Sequence, residues 1–190
     1  AFQVLTTTTF TDGLMHTFGG MTRIAVALGP GGSNLAIHSV LLPTTVNGGS
    51  GDDAISIGNG SLASGLGTNV TVNGGTGNDS LLLLGQSDGG SRTYSFPALN
   101  QFRFGDATTG KVVTFSGLEQ ATLRSGTGAD TIDVITTAIP LGIFSGDGND
   151  AVTVSASTAV VTVDTGPEVP PVLFGRPGDA LTVGSFLGSA

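Results

Sequence analysis

A pattern of glycine and aspartate occurs twice in succession between residues 125 and 154. The aspartates that close the two copies, Asp130 and Asp150, lie 20 residues apart. The same frame fits three further places in the chain, with reference residues Asp53, Asp79 and Asp179. A unit that recurs at such a period is typical of a protein built from stacked structural repeats.

Apolar residues and glycines occupy fixed positions around each reference aspartate. The position seven residues before it holds Val46, Val72, Leu123, Ile143 and Val172. The positions two and four residues after it hold Ile55 and Ile57, Leu81 and Leu83, Ile132 and Val134, Val152 and Val154, and Leu181 and Val183. Residues two apart share one face of a strand, and glycines let the backbone turn tightly. Each unit is therefore predicted to be a strand, a Gly-Asp turn and a second strand, and stacked units bury their apolar faces together.

Two copies, at residues 48–56 and 74–82, match the pattern Gly-Gly-x-Gly-x-Asp-x-apolar-x in full, whereas two others begin with Ser125 and Ser145. This pattern resembles the nonapeptide repeat of RTX, or haemolysin-type, calcium-binding proteins. That family repeats its nonapeptides in tandem, but here single copies stand 20 to 51 residues apart. The spacing favours a parallel β-helix with one column of Gly-Asp turns over a two-sided β-roll.

The resemblance implies that aspartate carboxylates and turn carbonyls of stacked coils share calcium ions. The best-placed metal ligands are the four aspartates of two pairs, Asp53 with Asp79 and Asp130 with Asp150. Further oxygens are available from Asp52, Asn78, Asp147 and Asn149. In the alternative interpretation, these residues only hold tight turns by hydrogen bonding to their own backbone. Repulsion between stacked carboxylates favours a cation.

The fold prediction is a single all-β domain over residues 1–190, a parallel β-helix (β-solenoid) with Gly-Asp turns and coils of about 20–26 residues. Irregular N-terminal strands are expected over residues 1–44 and motif-bearing coils over 45–84 and 121–183. An inserted coil over 85–120 contains the densest group of aromatic residues, at 94–104, and a turn signal at 105–110. This insertion is predicted to be a protruding β-hairpin.

Charge and composition exclude several classes of function. The formal net charge is −8 and Lys111 is the single lysine, so no basic patch is available for nucleic acid or for an anionic membrane surface. No apolar run is long enough for membrane insertion. The chain has no cysteine, which excludes disulfides and thiolate metal sites. Calcium-type turns favour an extracellular location, where calcium is abundant.

The predicted function is that of a non-enzymatic, extracellular structural protein, a calcium-stabilised subunit of a fibre or surface layer. Because no capping segment is evident and residues 1–10 are rich in β-forming residues, self-association is expected through the solenoid ends and this N-terminal strand. One alternative is a stalk or calcium-binding module of a large secreted adhesin. The other is a β-helix that binds or acts on a cell-surface glycan. No catalytic residue is predicted, because Asp52 and Asp53 belong to a turn motif and His16 and His38 lie in early strands.

Overall fold

The computed structural model describes residues 22–165 and 180–183, and nearly half of these residues form β-strands arranged in two sheets. The nine-stranded sheet consists, in spatial order, of β1 (Ile24–Ala27), β3 (Thr44–Ser50), β5 (Val70–Thr76), β9 (Lys111–Ser116), β8 (Gln101–Phe104), β7 (Thr93–Ala98), β11 (Thr131–Val134), β13 (Ala151–Val154) and β15 (Ala180–Val183). The six-stranded sheet consists of β14 (Val161–Asp164), β12 (Leu141–Phe144), β10 (Gln120–Arg124), β6 (Ser80–Leu84), β4 (Ala54–Ile57) and β2 (Asn34–Ile37). One short helix, α1 (Leu62–Gly65), lies in a connection. The predicted all-β class is confirmed.

The chain passes back and forth between the two sheets. All strand pairs are parallel except the two that involve β8. We call the connections that lead from the nine-stranded to the six-stranded sheet the first corner, and those that lead back the second corner. Because the strands that flank the corners are parallel, the two corners lie at opposite ends of the strands.

The apolar columns of the sequence become the core. Val46 pairs with Val72 in the nine-stranded sheet, and Ile55 pairs with Leu81 in the six-stranded sheet. All four are at most 1% exposed and belong to one buried cluster. The same positions of the later copies are also in register, with Leu123 opposite Ile143, and with Ile132, Val152 and Leu181 on three adjacent strands. The predicted columns are therefore confirmed within each group of neighbouring strands.

The region predicted to contain a protruding hairpin is instead built into the nine-stranded sheet. Strand β8 lies between β9 and β7 and is antiparallel to both, with the predicted turn at residues 105–110 between β8 and β9. Phe102 of β8 is fully buried, so the prediction that this hairpin protrudes is wrong. The physical reason is the alternation of apolar residues along β7 and β8, which directs one face of both strands into the core.

The insertion makes the two sheets unequal. Strands β6 and β10 pair directly in the six-stranded sheet, whereas three strands separate β5 from β11 in the other. The two additional strands lengthen that sheet by about 10 Å. Large side chains fill the resulting space: the ring centroids of Phe96 and Phe102 are 5.3 Å apart, and those of Tyr94 and Phe104 are 5.5 Å apart.

Several predictions fall outside the described residues, namely the strand at residues 1–10, His16 and the reference residue Asp179. Strand β15, which follows Asp179, nevertheless pairs with β13 in the predicted register. Within residues 22–165 and 180–183, no helix is long and apolar enough to cross a membrane.

Candidate functional site

The four paired aspartates of the motif lie at the two corners and not in one column. Asp53 and Asp79 end first-corner connections, immediately before β4 and β6. Asp130 and Asp150 end second-corner connections, immediately before β11 and β13. The expectation of a single column of Gly-Asp turns is therefore wrong. Each predicted pair is nevertheless brought together on adjacent connections, and all four side chains are at most 1% exposed.

At the first corner, each carboxylate accepts a hydrogen bond from the backbone of the preceding connection. The Asp53 Oδ1 atom accepts from the Ser33 amide at 2.8 Å, and the Asp79 Oδ1 atom accepts from the Asp53 amide at 2.8 Å. The Glu119 Oε2 atom accepts from the Asp79 amide at 2.6 Å. These three bonds form a ladder that ties four successive connections together, and we call it the first ladder.

Neither end of the first ladder, Ser33 or Glu119, was among the residues predicted from the sequence. Ser33 stands where the later copies have aspartate, with Gly31 two residues before it and Leu35 two residues after it. Glu119 also has a glycine two residues before it, at Gly117, which is a signal that could have identified it.

The second corner contains an equivalent ladder. The Asp130 Oδ1 atom accepts from the Arg92 amide at 2.8 Å, and the Asp150 Oδ1 atom accepts from the Asp130 amide at 2.9 Å. In addition, the Gly126 amide donates to the Asp130 Oδ2 atom at 3.2 Å. We call this the second ladder. In both ladders the later carboxylate binds the amide of the earlier connection, so the direction of the bonds follows the chain.

In the first ladder, the second carboxylate oxygens of the two aspartates have no partner among the described residues. The Oδ2 atoms of Asp53 and Asp79 are buried and accept no hydrogen bond from the described residues. A Cβ placed on Gly48 would lie 2.6 Å from Asp53 Oδ2, and one on Gly74 would lie 2.7 Å from Asp79 Oδ2. The first glycine of the motif therefore makes room for these oxygens. Buried polar atoms without partners are costly, so these two oxygens require a proton, a water molecule or a cation.

Glycines also allow the corners to stack. A Cβ on Gly75 or Gly77 would overlap the carbonyl oxygen of the glycine beneath it, Gly49 or Gly51. At the second corner, Gly146 is related to Gly126 in the same way. Gly75 and Gly146 also have positive φ angles, 111° and 80°. The columns of glycine thus serve two purposes, a left-handed backbone and close contact between successive connections.

The four auxiliary candidates point away from the core. The side chains of Asp52, Asn78, Asp147 and Asn149 are exposed. Each lies within three residues of a buried aspartate, but its own side chain is on the solvent side of the connection. The Asp52 Oδ1 atom accepts from the Asn78 amide at 2.8 Å, so Asp52 links two successive first-corner connections on the outer surface. The structure therefore separates the eight predicted ligands into a buried and an exposed set.

Burial sets the electrostatics of the second corner. Desolvation raises the pKa of Asp130 above its usual range. The pKa of Tyr94 is also raised, first by burial and then by the negative charge of Asp130. The Tyr94 hydroxyl is buried and makes no hydrogen bond within the described residues. Loss of solvent around Asp130 thus opposes its ionised form, although two backbone amides donate to its carboxylate.

The ladders fit calcium in the chemistry of their donor atoms, because calcium binds carboxylate and carbonyl oxygens. The orphaned Oδ2 atoms of Asp53 and Asp79 are the observation that favours an ion. Within residues 22–165 and 180–183, no three acidic or histidine side chains converge on one point. Main-chain oxygens of the turns would therefore have to complete the coordination.

Comparisons with protein-family models, curated protein sequences and solved structures found no match to this chain.

Proposed function

We propose that the chain is a non-enzymatic, extracellular structural protein, a calcium-stabilised β-solenoid that assembles into a fibre or surface layer. The alternation of strands between two sheets supports the solenoid, with each circuit through both corners forming one coil. The residues at both corners support the kinship with RTX repeats, because in the four described copies the motif glycines and aspartates lie in the connections or in the strand ends that lead into them.

The observation that carries the proposal is the stacking of buried carboxylates at each corner. Asp53 and Asp79 each have one oxygen bound to a backbone amide and one without a protein partner. Two buried negative charges on adjacent strands, about 5 Å apart, repel each other strongly. When bound, calcium would neutralise these charges, with Asp53 and Asp79 holding one ion and Asp130 and Asp150 another.

Self-association is proposed through the ends of the solenoid and the N-terminal residues 1–10. In the described part of the chain, β1 and β2 are the outermost strands at one end, and β14 and β15 are outermost at the other. An outermost strand offers backbone donors and acceptors to a further strand. Because the two ends differ, contact between them is head-to-tail and generates a filament.

Electron microscopy of the purified protein with calcium, and then with a chelator, tests the proposal. Filaments that form with calcium and fray after chelation are expected. Filaments that are unchanged by the chelator would reject the role of calcium but support the proposed fibre. Monodisperse particles in both conditions would reject the fibre and favour an adhesin stalk or a glycan-binding module.

A further inference from the structure

The sequence contains three Asn-Gly pairs, and the structure places them in two different settings. Asn47-Gly48 and Asn73-Gly74 lie within strands β3 and β5. Asn59-Gly60 lies in the connection between β4 and α1. Asparagine followed by glycine is chemically labile, because glycine has no side chain to hinder attack by its own backbone nitrogen on the asparagine amide. The three pairs are therefore open to the same reaction, but they differ in how tightly the backbone around them is held.

Asn59 and Gly60 are the two central residues of a tight turn. The Ser61 amide donates to the Gly58 carbonyl at 2.7 Å, and both central residues have positive φ angles, 39° and 96°. This is the geometry of a type I′ turn, for which Asn-Gly is the preferred sequence. The Asn59 side chain is exposed. One hydrogen bond closes the turn itself, and two others tie its ends to neighbouring connections: the Gly58 amide donates to the Ile37 carbonyl at 2.9 Å, and the Ser87 amide donates to the Gly60 carbonyl at 2.6 Å. Neither of these two bonds involves the Gly60 nitrogen, which is the attacking atom.

The other two pairs are held on both sides. Strand β3 lies between β1 and β5, and β5 lies between β3 and β9. Asn47 is in register with Asn73, and the Asn73 Oδ1 atom accepts from the Ser116 hydroxyl at 3.3 Å. Gly48, Gly74 and Gly60 are all buried, so the difference between the sites lies in the strand pairing. The backbone rotation that brings the glycine nitrogen to the asparagine side chain would break strand pairing in both directions.

We propose that Asn59 is a site of spontaneous deamidation in the folded protein, and that β3 and β5 protect Asn47 and Asn73 from the same reaction. The Gly60 backbone nitrogen attacks Asn59 Cγ, a new C–N bond forms, and the Cγ–Nδ2 bond breaks. Ammonia leaves with the proton of the Gly60 amide. Water then opens the cyclic imide at either carbonyl and yields aspartate or isoaspartate.

Deamidation at Asn59 would also disturb the N-terminal cap of helix α1, which follows it in the chain. Ser61 caps α1 by accepting from the Ser64 amide at 3.1 Å, and its hydroxyl donates to Asp88. The Leu62 amide donates to the same carboxylate at 3.0 Å. Isoaspartate inserts one additional backbone carbon between Gly58 and Ser61, so it displaces this cap. Faster hydrogen exchange of the Leu62 amide is expected in the converted protein.

The test follows all three sites by peptide mass spectrometry while the full-length, folded protein is incubated at mildly alkaline pH. A parallel sample in concentrated urea reports the intrinsic rates without structure. In the folded protein, Asn59 should convert about tenfold faster than Asn47 or Asn73, and the three rates should converge in urea. An Asn59→Gln variant, which would need a larger ring, should lose the early release of ammonia. Equal rates in the folded chain, faster conversion at Asn47 or Asn73, or an unreactive Asn59 would each overturn the proposal.

Discussion

The first and second corners are built from the same motif and differ in how completely they satisfy it. In both ladders one oxygen of each aspartate accepts from the amide of the preceding connection. At the first corner the second oxygens of Asp53 and Asp79 remain without a protein partner, whereas Asp130 Oδ2 accepts from Gly126. The comparison teaches that the ladder is a structural device common to both corners, and that Asp130 differs from Asp53 and Asp79 because an amide of its own turn binds its second oxygen.

The largest effect should come from the stacked glycines, which the corners share. Gly75→Ala and Gly146→Ala each place a methyl group against a carbonyl oxygen at a positive φ angle. Both are expected to lower the free energy of unfolding by about 3 kcal/mol or more, measured by urea denaturation. Gly89→Ala, which meets no atom within 4 Å, should change it by less than about 0.5 kcal/mol. A harmless Gly146→Ala would show that the two corners do not stack alike.

Loss of a ladder hydrogen bond should have the second-largest effect on the free energy of unfolding. Asp79→Ala leaves the buried Asp53 amide without an acceptor, and Asp150→Ala does the same to the Asp130 amide. Each should cost about 2 kcal/mol of unfolding free energy, because a buried donor loses its partner. Asp52→Ala, on the exposed surface, is the matched control and should cost about 0.5 kcal/mol. Equal losses in all three would mean that burial of the ladder contributes nothing.

The dependence of the melting temperature on calcium should differ between variants of the two corners. Asp79→Asn and Asp150→Asn keep an oxygen that can accept from the amide and remove one charge. With a chelator, both variants should melt at or above the melting temperature of the original chain, because a buried charge is gone. With calcium, Asp79→Asn should lose the larger part of the calcium-dependent rise in melting temperature, by about 2–4 °C. The reverse order would mean that calcium stabilises the second corner more than the first.

The smallest effect concerns an aspartate outside both ladders. Asp106 accepts hydrogen bonds from the side chains and amides of Thr108 and Thr109, and these bonds, led by that of the Thr109 hydroxyl, lower its pKa. A lowered pKa contributes stability above the unfolded pKa, about 3.9, and this contribution is lost as pH falls through the folded value.

The unfolding free energies of Asp106→Asn and the original chain should therefore differ slightly near neutral pH and converge in acid. Taking the difference between the two proteins cancels the titration of the ladder aspartates, which lie elsewhere in the fold. A gap that widens in acid would contradict the assigned direction.

The sequence by itself determined the local units. The positions of glycine, aspartate and the flanking aliphatic residues predicted the strands, their inward faces and the register of Val46 with Val72 and of Ile132 with Val152. These features depend on residues within one unit and on the burial of one face, so a pattern of period two identifies them. The sequence also predicted the turn between β8 and β9.

Only the tertiary structure decided which corner each unit occupies. Asp79 and Asp130 lie 51 residues apart in the chain, and the interval makes one and a half circuits: β6 in one sheet, β7, β8 and β9 in the other, and β10 in the first again. After one and a half circuits the chain is at the second corner and no longer at the first. The residues of the motif do not indicate how many circuits precede it. Likewise Ser33 and Glu119 complete the first ladder through pairing with strands distant in sequence. Local chemistry fixes the turn, but the count and pairing of intervening strands fix which carboxylates meet.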